Sequence, residues 1–268
     1  MIWMNAGFIG CGNMGGALAS VAAKSGARVL IADHNPDKLA ALRDGCGCVV
    51  STAAEIAEMS DLIFLGVKPQ VFAKAAAEIR ETLEARQGHY VVVSMAAGLT
   101  LETVSGLLGG APVIRIMPNT PASVGAGVIL YCPGDGVTEA DTAAFLSLME
   151  GAGVCVRLPE EKIDMGSAVT GCGPAFVCLL MEAMTDAGVR CGLPRVKAQL
   201  FTLQTFLGTA KLALDTGKDP ALLRAAVCSP AGSTIEGVAE LEKHGARSAM
   251  LEAVAAAYRR TAELGRQK

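Results

Sequence analysis

The sequence is poor in charged side chains and carries no excess of positive charge. Only 18% of its 268 residues are charged, and the formal net charge is −3 at pH 7. With 51% hydrophobic residues, the chain has ample material for buried cores, which argues against intrinsic disorder. Its charge balance offers no electrostatic footprint for nucleic acid or for an anionic membrane. We therefore expect no nucleic acid and no membrane among its partners.

Targeting and membrane-spanning patterns are also lacking. Residues 1–4 contain no basic side chain, and the first apolar run leads into a glycine-rich turn. No run of about 18 apolar residues has the flanks of a membrane span. The expectation is a soluble, cytoplasmic protein that acts on a small molecule.

The cysteines lack any metal or disulfide spacing. There are nine, but only Cys46 and Cys48 are close in sequence, and no C-x-x-C occurs. The three histidines, His34, His89 and His244, lie far from any paired thiols. This pattern predicts buried thiols in a reducing compartment and no metal site.

A glycine motif near the N-terminus is the feature around which the chain is arranged. An apolar run leads into Gly10-x-Gly12-x-x-Gly15, and a helical pattern begins near Asn13. In that context the first glycine permits a tight turn, the second lets backbone approach a pyrophosphate, and the third lets helix pack on strand. The helix directs its free N–H groups and positive dipole end at the anion. Because Asp33 closes the next strand, we predict a dinucleotide-binding turn.

Alternating strand and helix patterns predict an α/β fold with a Rossmann-like, doubly wound parallel sheet. The predicted strands follow the motif at residues 27–33, 62–67, 90–94, 113–117, 127–131 and 154–156. Helices are predicted between them at residues 13–25, 72–85, 100–108 and 139–151.

The sequence pattern changes after residue 157, where helical patterns rich in alanine, leucine and methionine replace the alternating strands and helices. Pro174 and Pro194 head two helices, Ser233 and Glu236 form a capping box for a third, and residues 246–264 make the last. We predict a dinucleotide-binding domain at 1–157 and an all-helical domain at 158–268. The helix of residues 194–216 is apolar on several of its faces, which predicts a homodimer interface.

Further motifs join the glycine turn, and together they resemble those of pyrroline-5-carboxylate reductases over essentially the whole chain. The motifs are Phe8-Ile9-Gly10-x-Gly12-Asn13-Met14-Gly15, Val67-Lys68-Pro69, Ser94-x-Ala96-Ala97-Gly98-x-Thr100, Arg115-x-Met117-Pro118-Asn119-Thr120-Pro121, Thr170-Gly171-Cys172-Gly173-Pro174-Ala175 and Cys228-Ser229-Pro230-Ala231-Gly232-Ser233-Thr234-Ile235. The resemblance implies reduction of L-1-pyrroline-5-carboxylate to L-proline with NADPH or NADH, the closing step of proline synthesis. It also implies an all-helical dimerisation domain whose helices interlock between subunits, with dimers able to assemble further.

Candidate site residues follow from the motifs and from the edge at which doubly wound sheets bind ligands. The cofactor is assigned to Ile9, Gly10, Cys11, Gly12, Asn13, Met14, Gly15, Asp33, His34, Asn35, Val67, Lys68, Pro69, Ala96, Ala97, Gly98 and Asn119. The substrate is assigned to Cys172, Gly173, Ser229, Gly232, Ser233 and Thr234. Two departures from the family are Cys172, where serine is usual, and Ala231, where glycine is usual.

The chemistry of a cyclic imine fits the absence of a histidine from the motifs. Interconverting an alcohol and a ketone calls for a well-placed base, whereas a protonated imine accepts hydride when it is held in the right orientation. Thr234 is the candidate hydrogen-bond partner of the imine nitrogen, or else a simple first-turn helix residue. Backbone N–H groups at Gly232, Ser233 and Thr234 suit the carboxylate. Lys68 is the one cation in the sheet-edge loops, and it either faces the bound anions or is solvated.

Cofactor preference and reaction class stay open at the level of sequence. Asp33 favours NADH by accepting ribose hydroxyls, but His34 and Asn35 can wrap a 2′-phosphate, and the resemblance favours NADPH. A β-hydroxyacid dehydrogenase shares the domain plan, but Val177 and Met181 stand where those enzymes carry Lys and Asn. A nicotinamide-binding sensor is the third alternative, although it would not need the loop that begins at Ser229.

Overall fold

A computed structural model describes residues 4–266 of the chain. The strands are β1 Asn5–Ile9, β2 Arg28–Ala32, β3 Val49–Val50, β4 Leu62–Leu65, β5 Val91–Ser94, β6 Val113–Met117, β7 Gly127–Pro133 and β8 Gly153–Arg157. The α-helices are α1 Asn13–Lys24, α2 Pro36–Cys46, α3 Ala53–Met59, α4 Pro69–Ala85, α5 Leu101–Leu107, α6 Glu139–Met149, α7 Glu160–Thr170, α8 Gly173–Arg190, α9 Arg195–Thr216, α10 Pro220–Ala226, α11 Ser233–Lys243 and α12 Ala246–Arg266. Short 3₁₀ helices lie at Thr120–Val124 and Glu150–Ala152.

The first compact unit, residues 4–171 with the tail of α12 from Ala257, contains one eight-stranded sheet. Its strand order is β3-β2-β1-β4-β5-β6-β7-β8, and the first six are parallel. The strand order reverses between β1 and β4, as in a dinucleotide-binding sheet wound in both directions. The predicted α/β fold is confirmed.

Two hydrophobic cores flank the sheet, one on each face. On one face Phe8 stacks on Phe64 with ring centroids 4.3 Å apart, and Phe145 of α6 packs beside them. On the other face Phe72 and Ile79 of α4 are fully buried. Each such side chain contributes roughly 1.5–3 kcal/mol by leaving water. The continuous apolar runs of β4 and β5 are therefore explained by burial from both sides.

The predicted parallel sheet has one antiparallel pair, between β6 and β7. This strand runs antiparallel to β6, and Arg115 pairs with Cys132 in the register. Residues 118–126, which connect β6 to β7, hold only a short 3₁₀ helix, and a parallel crossover needs a longer connection. β8 then pairs parallel to β7 through α6.

The second compact unit, Cys172–Ala256, is helical throughout. α8 and α9 begin beside Pro174 and Pro194, as predicted. The predicted capping box of Ser233 and Glu236 is wrong: Gly232 is the N-cap of α11, no side chain caps it, and Ser233 is already helical. Ser233 is the first helical residue and not the N-cap, so its hydroxyl is one position too far along the chain to accept a hydrogen bond from the backbone N–H of Glu236.

The two units meet in sequence after Gly171, while the predicted domain boundary at 157 stays a prediction. α7 belongs to the first unit because Arg115 of β6 reaches its carboxylates. Buried Arg115 lies 2.7 Å from Asp164 and 3.3 Å from Glu160. Within residues 4–266, the stretch Glu160–Arg190 has the length and apolarity of a membrane span, but it consists of α7 and α8, separated at Gly171.

Candidate active site

The glycine turn between β1 and α1 has the backbone that the motif predicts. Gly10 has a φ of +92°, and a Cβ atom there would lie 2.9 Å from the backbone of Gly66 and Val67. A Cβ on Gly15 would overlap the carbonyl oxygen of Gly10, so helix and turn approach too closely for any side chain. A Cβ atom on Gly12 would meet no other atom within 4 Å, so there is open space beside this residue. The first N–H groups of α1 have no side-chain cap and are left for an anion.

Asp33 holds this turn from the end of β2. Its Oδ2 accepts a hydrogen bond from the backbone N–H of Cys11 at 2.6 Å, and its Oδ1 accepts from the N–H of Asn35 at 2.9 Å. The Asp33 side chain is only 4% exposed. Burial raises the pKa of the Cys11 thiol to about 12, and the charge of Asp33 adds to that rise, so this thiol stays protonated and unreactive.

A cleft of about 500 Å³ opens beside the turn. Its wall combines residues assigned to the cofactor with others that the sequence reasoning missed. The lining residues are Ile9, Gly10, Ala32, Asp33, His34, Ser51, Thr52, Ala53, Val67, Val71, Lys74, Ala75 and Glu78. Lys74 was missed because it lies in the body of α4, not in a motif, although a cation on a helix that starts at the ligand edge is a usable signal.

The loops after β4 and β5 share this edge of the sheet, as predicted. Lys68 is exposed and precedes Pro69, the first residue of α4. Ala96 is buried, Ala97 is exposed, and Gly98 turns with a φ of +72°. Because carboxyl ends of parallel strands meet at one edge, these residues lie at the same edge of the sheet as Gly10, although they do not line the cleft described above.

Asn119, assigned to the cofactor, is 8% exposed and makes two structural hydrogen bonds. Its Nδ2 donates to the carbonyl oxygen of Thr170 at 2.9 Å, and its Oδ1 accepts from the N–H of Val128 at 2.8 Å. It thus ties the end of β6 to β7 and to the last residue of α7.

His34 and Asn35 have different surroundings. The His34 side chain is 94% exposed, with Nδ1 at 3.3 Å from Asp33. Asn35 is the N-cap of α2, and its Oδ1 accepts from the N–H groups of Asp37 and Lys38. Of the two, His34 therefore has the more exposed side chain, while the Oδ1 of Asn35 is engaged in capping α2.

The substrate-side motifs lie at the starts of two helices in the second unit. Cys172 is the N-cap of α8, followed by Gly173. Before α11 the chain turns at Ser229, where the N–H of Gly232 donates to the carbonyl oxygen of Ser229 at 3.1 Å. Ala231 within this turn has a φ of +56°, the one left-handed non-glycine residue in the described chain.

Ser233 and Thr234 occupy the first turn of α11, and both are exposed. Their backbone N–H groups have no intrahelical partners. The arrangement can accept a carboxylate at the helix start, with the Thr234 hydroxyl beside it. Among residues 4–266, no group of three or more His, Cys, Asp or Glu side chains has metal-binding geometry.

Comparison with known proteins gives a consistent assignment of both halves. Residues 160–264 match the family model described as pyrroline-5-carboxylate reductase dimerisation, and residues 5–98 match NADP oxidoreductase, coenzyme F420-dependent. The pyrroline-5-carboxylate reductase of Escherichia coli (strain K12) is 40% identical over 266 residues, spanning 97% of this chain and 98% of the relative.

Solved structures agree over the whole length. A pyrroline-5-carboxylate reductase from Coxiella burnetii is 31% identical with a TM-score of 0.89, covering 98% of each chain. The Plasmodium falciparum pyrroline carboxylate reductase with NADP bound is 27% identical with a TM-score of 0.87, again covering 98% of each chain. The predicted family resemblance is confirmed, and this chain belongs to the pyrroline-5-carboxylate reductase family.

Proposed function

We propose that the protein reduces the cyclic imine L-1-pyrroline-5-carboxylate to L-proline, with NADPH as the favoured reductant and NADH as a possible one. The observation that carries this proposal is whole-chain membership of a reductase family in a chain that also forms the nucleotide turn at Gly10. Bound NADPH supplies the hydride. The residues of this chain bind and orient the reacting partners.

The nucleotide slot fits a dinucleotide on three counts. Open space lies above Gly12, N–H groups are left free at the start of α1, and Gly10 has the backbone of a tight turn. We assign the pyrophosphate to this turn, with residues Ile9 to Gly15. Val67, Lys68, Pro69 and the loop of Ala96, Ala97 and Gly98 are assigned to the nicotinamide half. Asn119, assigned to the same cofactor, holds the end of β6 to β7 and α7 through its two hydrogen bonds.

The substrate carboxylate is assigned to the N–H groups of Gly232, Ser233 and Thr234, together with Ser229, Cys172 and Gly173. Thr234 is the proposed hydrogen-bond partner of the imine nitrogen. A protonated imine needs no strong protein base, so orientation and one polar contact suffice. Lys68 is proposed to stabilise the bound anions because it is an exposed cation at the same sheet edge.

NADPH is favoured over NADH by the charges around the cleft. His34 and Lys74 supply hydrogen-bond donors on its wall, whereas the carboxylate of Asp33 is buried. The relative from Plasmodium falciparum was solved with NADP bound. These observations support a 2′-phosphate at the His34 end of the cleft.

A homodimer in the cytoplasm is proposed as the working state. α9 exposes Leu200, Leu203 and Leu207 by 56%, 44% and 62% in the single chain, an apolar face that a second copy would cover. Residues 160–264 match a dimerisation family. All nine cysteines are free in the structure, which supports a reducing compartment.

The test is a turnover assay of the purified protein with pyrroline-5-carboxylate and either NADPH or NADH. Loss of the near-ultraviolet absorbance of the reduced nicotinamide, matched by formation of L-proline, is expected with NADPH at lower KM than with NADH. No turnover with either cofactor would refute the proposed reaction. Turnover only of a β-hydroxyacid with oxidised cofactor would favour the dehydrogenase alternative instead.

A further inference from the structure

We propose that Asp33 is a positioning residue that builds the nucleotide turn and does not choose between NADH and NADPH. The proposal rests on the proposed function above. In dinucleotide-binding sheets, an acidic residue at this place ordinarily accepts the ribose hydroxyls and thereby selects NADH. The geometry of this chain points to a different task.

The carboxylate of Asp33 is already engaged on both oxygens. Oδ2 accepts from Cys11 N–H at 2.6 Å, which is the short distance of a charge-assisted bond, and Oδ1 accepts from Asn35 N–H at 2.9 Å. With 4% of the side chain exposed, little of the carboxylate is left to meet a ribose.

The bond to Cys11 fixes the conformation of the glycine turn. A second bond runs parallel to it, from the N–H of Gly10 to the carbonyl oxygen of Ala32 at 2.8 Å. The two bonds direct consecutive N–H groups of the turn back toward β2. The anion can then bind to the free N–H groups in the first turn of α1. The glycine turn sets the direction in which these N–H groups point.

The charge of Asp33 is also partly compensated. Two N–H groups donate to the carboxylate, its side chain is only 4% exposed, and Nδ1 of the exposed His34 lies 3.3 Å from it. Lys74 and Glu78 line the opposite part of the cleft wall on α4. A 2′-phosphate therefore meets His34 and Lys74 rather than a bare carboxylate.

The two roles of Asp33 predict different effects of Asp33→Asn. A ribose-binding carboxylate would give a variant that loses NADH affinity and gains or keeps NADPH affinity. A turn-building carboxylate gives a variant that loses affinity for both cofactors by a similar factor, because both share the pyrophosphate. The lost bond corresponds to a rise of about tenfold in each Kd.

The experiment measures the Kd of NADPH and of NADH by nicotinamide fluorescence, for wild type, Asp33→Asn and Asp33→Ser, at a temperature well below thermal unfolding. Both Kd values are expected to rise about tenfold, with their ratio held within about twofold. Asp37→Asn is the charge-matched control, since Asp37 is exposed near the same cleft, and it should leave both Kd values unchanged. Asp61→Asn is the structural control, because Asp61 accepts from the N–H of Asn5 at 2.9 Å on another strand. It should lower the Tm without changing either Kd.

A selective loss of NADH affinity in Asp33→Asn, or unchanged affinity for both cofactors, would overturn the inference. If wild type bound neither dinucleotide, the proposed function would fail with it, which is a distinguishable result. A measurement on wild type alone covers the case of unstable variants. The Cys11 amide proton should resonate far downfield in the NMR spectrum, and an ordinary chemical shift there would contradict the short bond to Asp33.

Discussion

Thr234 is the residue on which the proposed chemistry depends most. It lies exposed in the first turn of α11. Replacing it by Ala should lower kcat by roughly ten- to a hundredfold while the Kd of NADPH is unchanged, since one polar contact at the reacting centre is lost. Steady-state kinetics and cofactor titration provide the two readouts. Thr234→Ser keeps the hydroxyl and should recover most of kcat. An unchanged kcat in Thr234→Ala would remove Thr234 from the mechanism.

Ala231 stores local backbone strain in the loop before α11. Its φ of +56° lies in the left-handed region, where a Cβ costs about 1 kcal/mol relative to glycine. Ala231→Gly should therefore raise the Tm by about 2 °C in thermal unfolding. Ala239→Gly in the middle of α11 is the matched control with the opposite sign, because glycine weakens a helix interior. A lower Tm for Ala231→Gly would show that the strain is illusory.

Single residues were predictable where the requirement was local. The glycine turn follows from the sequence because its requirements are local: Gly10 has a left-handed φ of +92°, and Gly15 packs against the carbonyl oxygen of Gly10. The structural role of Asn119 could not be predicted, because its amide donates to Thr170, which lies 51 positions away along the chain. Asp33 likewise depends on a partner 22 positions away, Cys11. Roles set by such distant bonds need the folded structure.

At the scale of an element, the start of α6 gives a prediction about pH. Burial raises the pKa of Asp141, but hydrogen bonds from Thr138 and from His89 outweigh it, and the net pKa is lowered. A carboxylate with a depressed pKa stabilises the folded state above its unfolded pKa of about 3.9, and this contribution is lost as the pH falls through the lower folded value.

Asp141→Asn should accordingly lower the free energy of unfolding at neutral pH. The difference from wild type should shrink as the pH falls from about 4 through the lower folded pKa of Asp141, because the carboxyl group is then protonated and uncharged in both states. Denaturant unfolding at several pH values measures it. Glu139→Gln on the same helix turn is the control, because the Glu139 side chain is 83% exposed and its ion pair with Arg157 lies at the surface. A difference between Asp141→Asn and wild type that stayed constant down to about pH 2 would contradict the pKa assignment.

Elements with a strong pattern were predicted, and short or unpatterned ones were missed. β4 and β5 are continuous apolar runs and lie where the sequence puts them. β3 has only two residues, too few to show a period. The reversed direction of β7 has no local signal, because the residue pattern of a strand is the same in either direction. The direction of β7 is set by the short connection from β6, which is too short for a parallel crossover.

At the scale of the whole molecule, the apolar face of α9 predicts an assembly. Leu200, Leu203 and Leu207 are spaced along one face of the helix and are exposed in the single chain. Light scattering coupled to size exclusion should give at least a dimer for wild type and a smaller species for Leu207→Glu. Lys24→Glu on α1 of the first unit is the control and should leave the mass unchanged. A monomeric, fully active wild type would contradict the proposed dimer.

The transfer of hydride to the imine carbon tests the account most directly. The protein is given pyrroline-5-carboxylate and NADPH that carries deuterium at the transferable position, and the proline formed is analysed by mass spectrometry and NMR. One deuterium is expected on the δ carbon of L-proline, which is the former imine carbon. Unlabelled proline, or no proline at all, would contradict it.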